Sequence, residues 1–379
     1  MSVPRPIAIA HIQSGSVSIA IALPHRDAPL EIIALERTDL SFEDRTPAAT
    51  IAALGNQIEQ TGKKALEAYA ASKKSHGLVV RSYAIMSAPW TQSQTIRTIS
   101  TFDTDTLITE DMVGALAKKA LQESTEINAA NLLEANVVRI ELNGYPTMHP
   151  AGKKAHKLLV SSLISDCSPE IRTVVQENLQ KLFAGPVIFR SQLRAMLSVT
   201  AAIPQLPEDY CLVEIARENT TIANIHTGLS MGHATAAEGT VSIIKRIAGD
   251  GLPEEAVALL QMIADDQCTS TACDAMRESM VRAEPELVRI FGEAMATLTT
   301  SRYLPPTLML LCENNLTSWL TGLFSRIDFT QFTTTTQPFE VIVLDSSALH
   351  TFITPSPGIV IDTRFGLASA LVHIEEKNA

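Results

Sequence analysis

Aromatic residues make up only 5% of the 379-residue chain, and 30 Lys and Arg face 41 Asp and Glu, a net charge of −11. A chain with few stacking platforms and no basic block matches nucleic acid poorly, because binding there rests on cations against phosphate. No segment approaches the ~18 consecutive apolar residues of a membrane span. The start, MSVPRPIAIAHIQSG, has no long apolar stretch behind a basic head, so no secretory signal is read there. The five cysteines, Cys167, Cys211, Cys268, Cys273 and Cys312, are odd in number and scattered, unlike a disulfide framework. Cys268 and Cys273, in CTSTAC, have no second Cys or His pair at zinc spacing and are read as two small helix residues. A reducing cytoplasm is the default expectation. Also missing are G-x-S-x-G, G-x-x-x-x-G-K-[ST], H-E-x-x-H and G-x-G-x-x-G, so no activated nucleophile or common phosphate loop is nominated. Glycine is scarce, 17 residues, about 4.5% against a usual ~7%.

What is present is apolar: 46% of the chain, with 19% charged, enough for large cores. At about 150 residues per domain the length suggests two or three compact units. Runs 6–12 and 16–23 flank Gln13-Ser14-Gly15 and read as a β-hairpin, with a third strand at 30–37. Thr46-Pro47 opens a helix whose Ile51, Leu54, Ile58, Leu66 and Tyr69 share one face. A strand follows at 78–87, then strands within 93–102, 136–142 and 156–164 around a helix capped by Thr109, with a turn at Asn143-Gly144. Ser168-Pro169 starts a helix stopped near Gly185, followed by a strand at 186–189 and a helix at 191–200. A second hairpin, 211–217 and 220–226, precedes helices over 240–248 and 253–300, strands at 307–313 and 339–345, and a closing helix FGLASALVHI. The hairpin, helix, strand order thus occurs twice, at 6–87 and 211–313.

Several segments carry a resemblance in their order and spacing. They are AHIQSGSV at 10–17, SAPW at 87–90, ITED at 108–111, and VVRIELNGY with Pro150 and Gly152. VEIARENTT at 213–221, GLPEEAVAL at 251–259 and RFGLASAL at 364–371 complete the set. Together they resemble the bacterial actin-like family of the cell-division protein FtsA and the pilus protein PilM. The resemblance implies an α/β, actin-like fold: a duplicated ribonuclease H-like core forming two lobes around a cleft, with a small inserted α+β domain. The implied division places lobe I at 1–91, completed by 167–206 and 339–379, the insert at 92–166, and lobe II at 207–338. It also implies an ATP cleft in which two hairpin loops cradle phosphate through backbone N–H groups, while an Asp in each loop orients magnesium.

The sequence departs from that pattern at every loop. In the first, His11 and Gln13 stand where Asp and Gly are expected, while Ser14 and Gly15 remain. In the second, the acid is Glu214 and the glycine is Ala216, beside Arg217; Thr220 and Thr221 survive. On the adenosine side, Cys312-Glu313-Asn314-Asn315 replaces a glycine-rich turn. The candidate nucleotide-contact residues are therefore Ser14, Gly15, Glu214, Thr220, Thr221, Glu238 and Gly239, in a degenerate cleft. Each has a plain structural reading. Ser14-Gly15 can be an ordinary hairpin turn, His11 a satisfied strand histidine, Glu214 an edge residue rather than a cleft residue, and Glu238-Gly239-Thr240 a helix cap. Lys153, Lys154 and Lys157 read as a solvated face.

These residues lead to a first expectation of a non-catalytic or weakly nucleotide-binding actin-like scaffold in cell division or type IV pilus assembly. It would act through protein contacts, with the insert as docking or polymerisation module, and with no cofactor and no metal. An active ATPase of the same type, holding ATP with magnesium, is the alternative. A sugar-kinase relative on the same core would need a catalytic Asp in a glycine-rich setting, and none is found. The expected partners are a second copy or a division or pilus membrane protein, with no nucleic acid. The acidic end Glu375-Glu376-Lys377-Asn378-Ala379 is expected not to insert into or lie on an anionic bilayer. The expected location is the cytoplasm, at the inner membrane face where a partner recruits the protein.

Overall fold

The computed structural model describes residues 5–40, 46–74, 77–299, 303–335 and 337–378. The first four residues of the leader reading, and the last residue of the expected helix over 253–300, lie outside them. Chain order begins with β1 (Ile7–Ile12), β2 (Ser16–Leu23), β3 (Leu30–Asp39), α1 (Pro47–Ala71) and β4 (Ser82–Met86). IAIAHI and SVSIAIAL are apolar on both faces because both faces are covered, and every residue of β1 and β2 is buried. Thr46 caps α1, its hydroxyl accepting from Ala49 N at 3.3 Å, and Pro47 takes the first turn. The strand expected over 78–87 is shorter than the sequence suggests. Upstream of Ser82 its neighbour is Pro6, which accepts from Val80 N at 3.0 Å but has no N–H to return.

Next come β5 (Thr91–Leu107), α2 (Glu110–Glu123), β6 (Leu132–Leu142), β7 (Tyr145–Pro146) and β8 (Lys154–Cys167). They form a four-stranded sheet in the order β5-β8-β6-β7, with α2 on one face. Asn143 and Gly144 both adopt positive φ, 54° and 88°, as the tight turn between β6 and β7 requires.

The chain returns through α3 (Pro169–Leu182), β9 (Val187–Ser191) and α4 (Gln192–Thr200). Gly185, read from sequence as the stop of α3, has a different task. The helix already ends at Leu182 with Phe183 extended. Gly185 holds φ +83°, and a Cβ there would stand 1.9 Å from Val80 O. It lets the turn into β9 pass against the approach to β4.

The remainder is β10 (Tyr210–Ile215), β11 (Thr220–His226), β12 (Leu229–Ala236), α5 (Thr240–Ala248), α6 (Pro253–Ala264), α7 (Thr271–Thr299), β13 (Thr307–Leu311), α8 (Asn314–Phe324), β14 (Glu340–Val343), β15 (Ile353–Pro355) and α9 (Thr363–Asn378). One sheet has the order β15-β3-β2-β1-β4-β9 and the other β12-β11-β10-β13-β14. Two antiparallel pairings followed by two parallel ones occur in each, along β3-β2-β1-β4-β9 and along β12-β11-β10-β13-β14. The repeat visible at 6–87 and 211–313 is therefore a repeat of topology. β14 lies in the second sheet, parallel to β13, so the segment after 338 does not all complete the first lobe as expected.

Two helices join the halves. α4 and α9 contribute Met196, Val199, Phe365 and Leu371 to a core that also holds Ile9 of β1 and Leu212 of β10. The residues Arg364–His373 of α9 are buried on every side, which explains why FGLASALVH shows no single apolar face. α9 also runs past the acidic residues read as a tail. Glu375 pairs with Arg190 at 2.8 Å and Arg194 at 2.7 Å, and Glu376 accepts from Tyr83 Oη at 2.6 Å and pairs with Arg81.

The cysteine reading needs correction. Cys268 lies in the coil ahead of α7, not on a helix, and that coil folds back over the first turn of α7. The two Cα atoms come within 5.8 Å and the sulfurs are bonded, leaving Cys167, Cys211 and Cys312 free.

Candidate functional site

The two hairpin turns β1–β2 and β10–β11 face each other across the space between the sheets. In the first, Gln13 N donates to Ser16 O at 3.0 Å, and the Ser16 hydroxyl donates to Gln13 Oε1 at 2.6 Å. Ser14 is 2% exposed, and its hydroxyl has no partner among the described residues. Gly15 lies under a side chain of the opposite turn: a Cβ at Gly15 would stand 1.5 Å from Arg217 Cδ, so Arg217 would have to shift to admit one. Arg217 lies over Gly15 and its guanidinium donates to Leu40 O, while Leu40 N donates to Gly15 O at 2.8 Å.

The second turn is bound to α5. Thr240 N donates to Ala216 O and Val241 N to Arg217 O, both at 2.9 Å. The first free N–H groups of the helix, the usual anion-binding groups, are thereby used within the chain. Gly239 fits because a Cβ there would meet Asn219 N at 2.5 Å and Arg217 O at 2.6 Å. The Thr220 hydroxyl donates to Glu238 O at 2.6 Å. Glu238 is 3% exposed and pairs with Arg246 of α5 at 3.0 Å.

The floor of the cleft carries charges that sequence reasoning did not select. His11 Nε2 lies 3.0 Å from Ser87 Oγ. Burial pushes the ring pKa down to about 4, Asp362 acting against it and Arg364 and Arg37 with it. Arg37 bridges Asp39 at 2.8 Å and Asp362 at 3.0 Å. Burial works to raise the Asp362 carboxyl, but Arg364, the Phe365 amide and Arg37 outweigh it and hold it below the ordinary range. Arg364 is 7% exposed and donates to Ile215 O at 3.2 Å, tying α9 to the second sheet. The one sequence signal for Arg364 was a lone cation opening an otherwise apolar helix. On the adenosine side, Glu313 and Asn314 form the start of α8, a helix in place of a glycine turn. A cavity of about 260 Å³ lies there between Arg37, Glu313, Asn315 and Arg364.

The seven sequence-selected residues fall into two groups. Ser14, Gly15, Thr220, Glu238 and Gly239 belong to the turns and the helix start just described. Glu214 and Thr221, cross-strand partners, line a separate cavity of about 370 Å³. Glu214 is 4% exposed, its Oε1 has no partner among the described residues, and burial raises its pKa against the pull of Arg364.

No protein-family model matches the chain, and no curated protein matches it. Among solved structures it is similar to the PilM–PilN type IV pilus biogenesis complex, at 14% identity and TM-score 0.61, with 98% of each chain covered. It is similar to the ethanolamine utilization protein EutJ from Carboxydothermus hydrogenoformans at 11% identity and TM-score 0.46, covering 97% of this chain and 91% of that one. It is also similar to a Bacteroides thetaiotaomicron protein with an actin-like ATPase fold and unknown function, at 9% identity and TM-score 0.41, covering 90% and 91%. What the first likeness shows is the fold. The chain is actin-like, α/β, with two lobes about a cleft.

Proposed function

We propose that this protein is a non-catalytic actin-like scaffold whose lobes are held together by its own arginines rather than by a nucleotide. The observation that carries this reading is Arg217, whose side chain fills the approach to Gly15 from the opposite hairpin. A triphosphate in that position would need the backbone of both turns, and a guanidinium already lies there. The α5 N–H groups that could receive a phosphate donate to carbonyls of the second turn. The residues in place of the magnesium-orienting acids fit the metal poorly: one is a histidine held neutral, and the other, Glu214, lines a separate cavity rather than the turn at Gly15. The residues present therefore do not fit magnesium-ATP.

The likeness to PilM in a PilM–PilN complex supports action through protein contacts in pilus assembly or, by the wider resemblance, cell division. The partner would be a membrane protein of that machinery or a second copy of this chain, and the partner would recruit the scaffold to the inner membrane face. No helix among the described residues is long and apolar enough to cross a membrane. The α+β unit at 92–166 is the proposed docking module, between a first lobe built on the six-stranded sheet and a second built on the five-stranded one. The test is a melting curve with and without several millimolar magnesium-ATP. Intact binding at a hundredfold excess over Kd would add roughly 2.7 kcal/mol, and the expected shift is none. A rise of several degrees would overturn the reading in favour of a divergent ATPase.

A further inference from the structure

The cavity of about 370 Å³ is distinct from the junction that Arg217 fills, and it has a built polar wall. It lies where the three sheets meet, between the start of β5, the first turns of α4, and strands β10 to β12. Its volume falls in the lower part of the range of small-molecule sites, about 300–1,000 Å³. Gln192, the first residue of α4, is 2% exposed, and both its amide oxygen and its amide nitrogen lack a partner among the described residues. Glu214 is 4% exposed and has an unpartnered Oε1. Buried groups of this kind are normally satisfied, and leaving one unpaired is costly. Two on one wall indicate that something else meets them.

The charge of the wall selects what that is. Glu214 and Glu126 line the cavity, and no Lys or Arg does among the described residues. His233 also lines it, and burial lowers the ring pKa against the pull of Glu126, so the ring adds no positive charge at pH 7. Arg364, whose charge acts on Glu214, already donates to Ile215 O. Thr221 and Thr235 supply hydroxyls. An anion would meet two acidic side chains without a counter-charge, whereas an ammonium group would find an amide oxygen, hydroxyl oxygens and the Glu214 carboxyl, whose charged form burial alone disfavours and a cation beside it favours.

We propose that this cavity binds a small aliphatic amine, its ammonium group donating to the Glu214 carboxylate and to the Gln192 amide oxygen. The Gln192 amide N–H groups remain for a hydroxyl or carbonyl on the same ligand. The probes carry no phosphate, so a failure here and a failure of the nucleotide reading are distinguishable.

The experiment is a set of melting curves and calorimetric titrations of the full chain with putrescine, agmatine and methylammonium. Sodium chloride and tetramethylammonium at equal ionic strength serve as controls. The expected result is a saturable rise in Tm with at least one primary amine, absent with both controls. Glu214→Gln keeps the shape and removes the charge, and should weaken that affinity at least tenfold. Gln192→Leu, on a different element, should weaken it severalfold, so a folding failure of either variant still leaves a test. No saturable response to any amine would overturn the proposal. So would a response shared by the controls, or one unchanged in both variants.

Discussion

Glu134 of β6 is the place where the inserted unit holds the helix that joins the lobes, and removing its side chain should be felt throughout the molecule. The carboxylate is buried and makes four contacts. Oε1 accepts from Ser191 N at 2.8 Å and Ser191 Oγ at 2.5 Å, capping α4 from outside. Oε2 accepts from Arg194 Nη1 at 3.0 Å and Asn136 Nδ2 at 3.1 Å. Hydrogen bonds to a charged group contribute about 1.5–3 kcal/mol each, and breaking a buried ion pair costs about 3–5 kcal/mol. Those values do not simply add here, because Arg194 keeps Glu375 at 2.7 Å when Glu134 is gone. The orphaned groups are then the Ser191 amide and hydroxyl. We expect Glu134→Ala to lower stability by about 3 kcal/mol, and Glu134→Gln by about 2 kcal/mol, since its amide N–H would face Arg194. Urea unfolding followed by fluorescence is the assay. The only two tryptophans in the chain report on separate cores, Trp90 beside α1 and α3 and Trp319 among the helices of the five-stranded sheet. A loss under 1 kcal/mol in Glu134→Ala would refute the anchoring role. So would a transition in which only the Trp90 signal moves, because α4 packs on both sheets.

Three further outcomes follow. Arg217→Ala should uncover Gly15 and lower stability by about 1–3 kcal/mol through the lost bond to Leu40 O, read as a lower urea midpoint; an unchanged midpoint would mean that this bond does not hold the turn in place. His11 titrates at about 4 in the fold against 6.5 for the free side chain, so the unfolded chain binds the extra proton and about 3 kcal/mol present at pH 7 should be lost as pH falls from ~6.5 to ~4. The raised pKa of Glu214 opposes this trend, so the comparison is parent against His11→Gln, and equal slopes for the two would contradict the assignment. Unfolded without reductant, the chain should show the three thiols of Cys167, Cys211 and Cys312 and all five after reduction; five at the outset would remove the Cys268–Cys273 bond.

The hairpins, the caps at Thr46 and Thr109, and the turn at Asn143-Gly144 were legible because each is specified within a few residues. What was missed depends on distant partners or on weak patterns. β12 reads LSMGHATA, small and polar, without the alternation that marks a half-buried strand, and it forms because β11 lies beside it. α8 carries a signal, Leu316, Leu320 and Leu323 on one face, in a segment where the resemblance implies a nucleotide loop. The acidic end looked like a tail because its arginines, Arg81, Arg190 and Arg194, stand 295, 185 and about 180 residues earlier in the chain.

The cleft shows the same division between what a sequence states and what it conceals. From residue types alone, Gln13, Ala216 and Arg217 register as obstructions, side chains where a phosphate loop needs bare backbone. That reading is negative: it says that a ligand is impeded, and nothing about what takes its place. The structure supplies the positive half. Arg217 crosses Gly15, the second turn presses on Gly239, and Glu238 pairs with Arg246. Three residues that look like the remnants of a nucleotide site, Gly15, Glu238 and Gly239, thus take part in contacts within the chain. Here Arg364 reaches from α9 to Ile215 O and Arg217 from the second hairpin to Leu40 O, each a charged donor on a backbone acceptor of another element. Bonds of that type stabilise by about 1.5–3 kcal/mol apiece, and two of them are comparable to the stabilisation that a bound ligand gives at a hundredfold excess over its Kd, roughly 2.7 kcal/mol. A cleft closed in this way would keep the same shape at any nucleotide concentration.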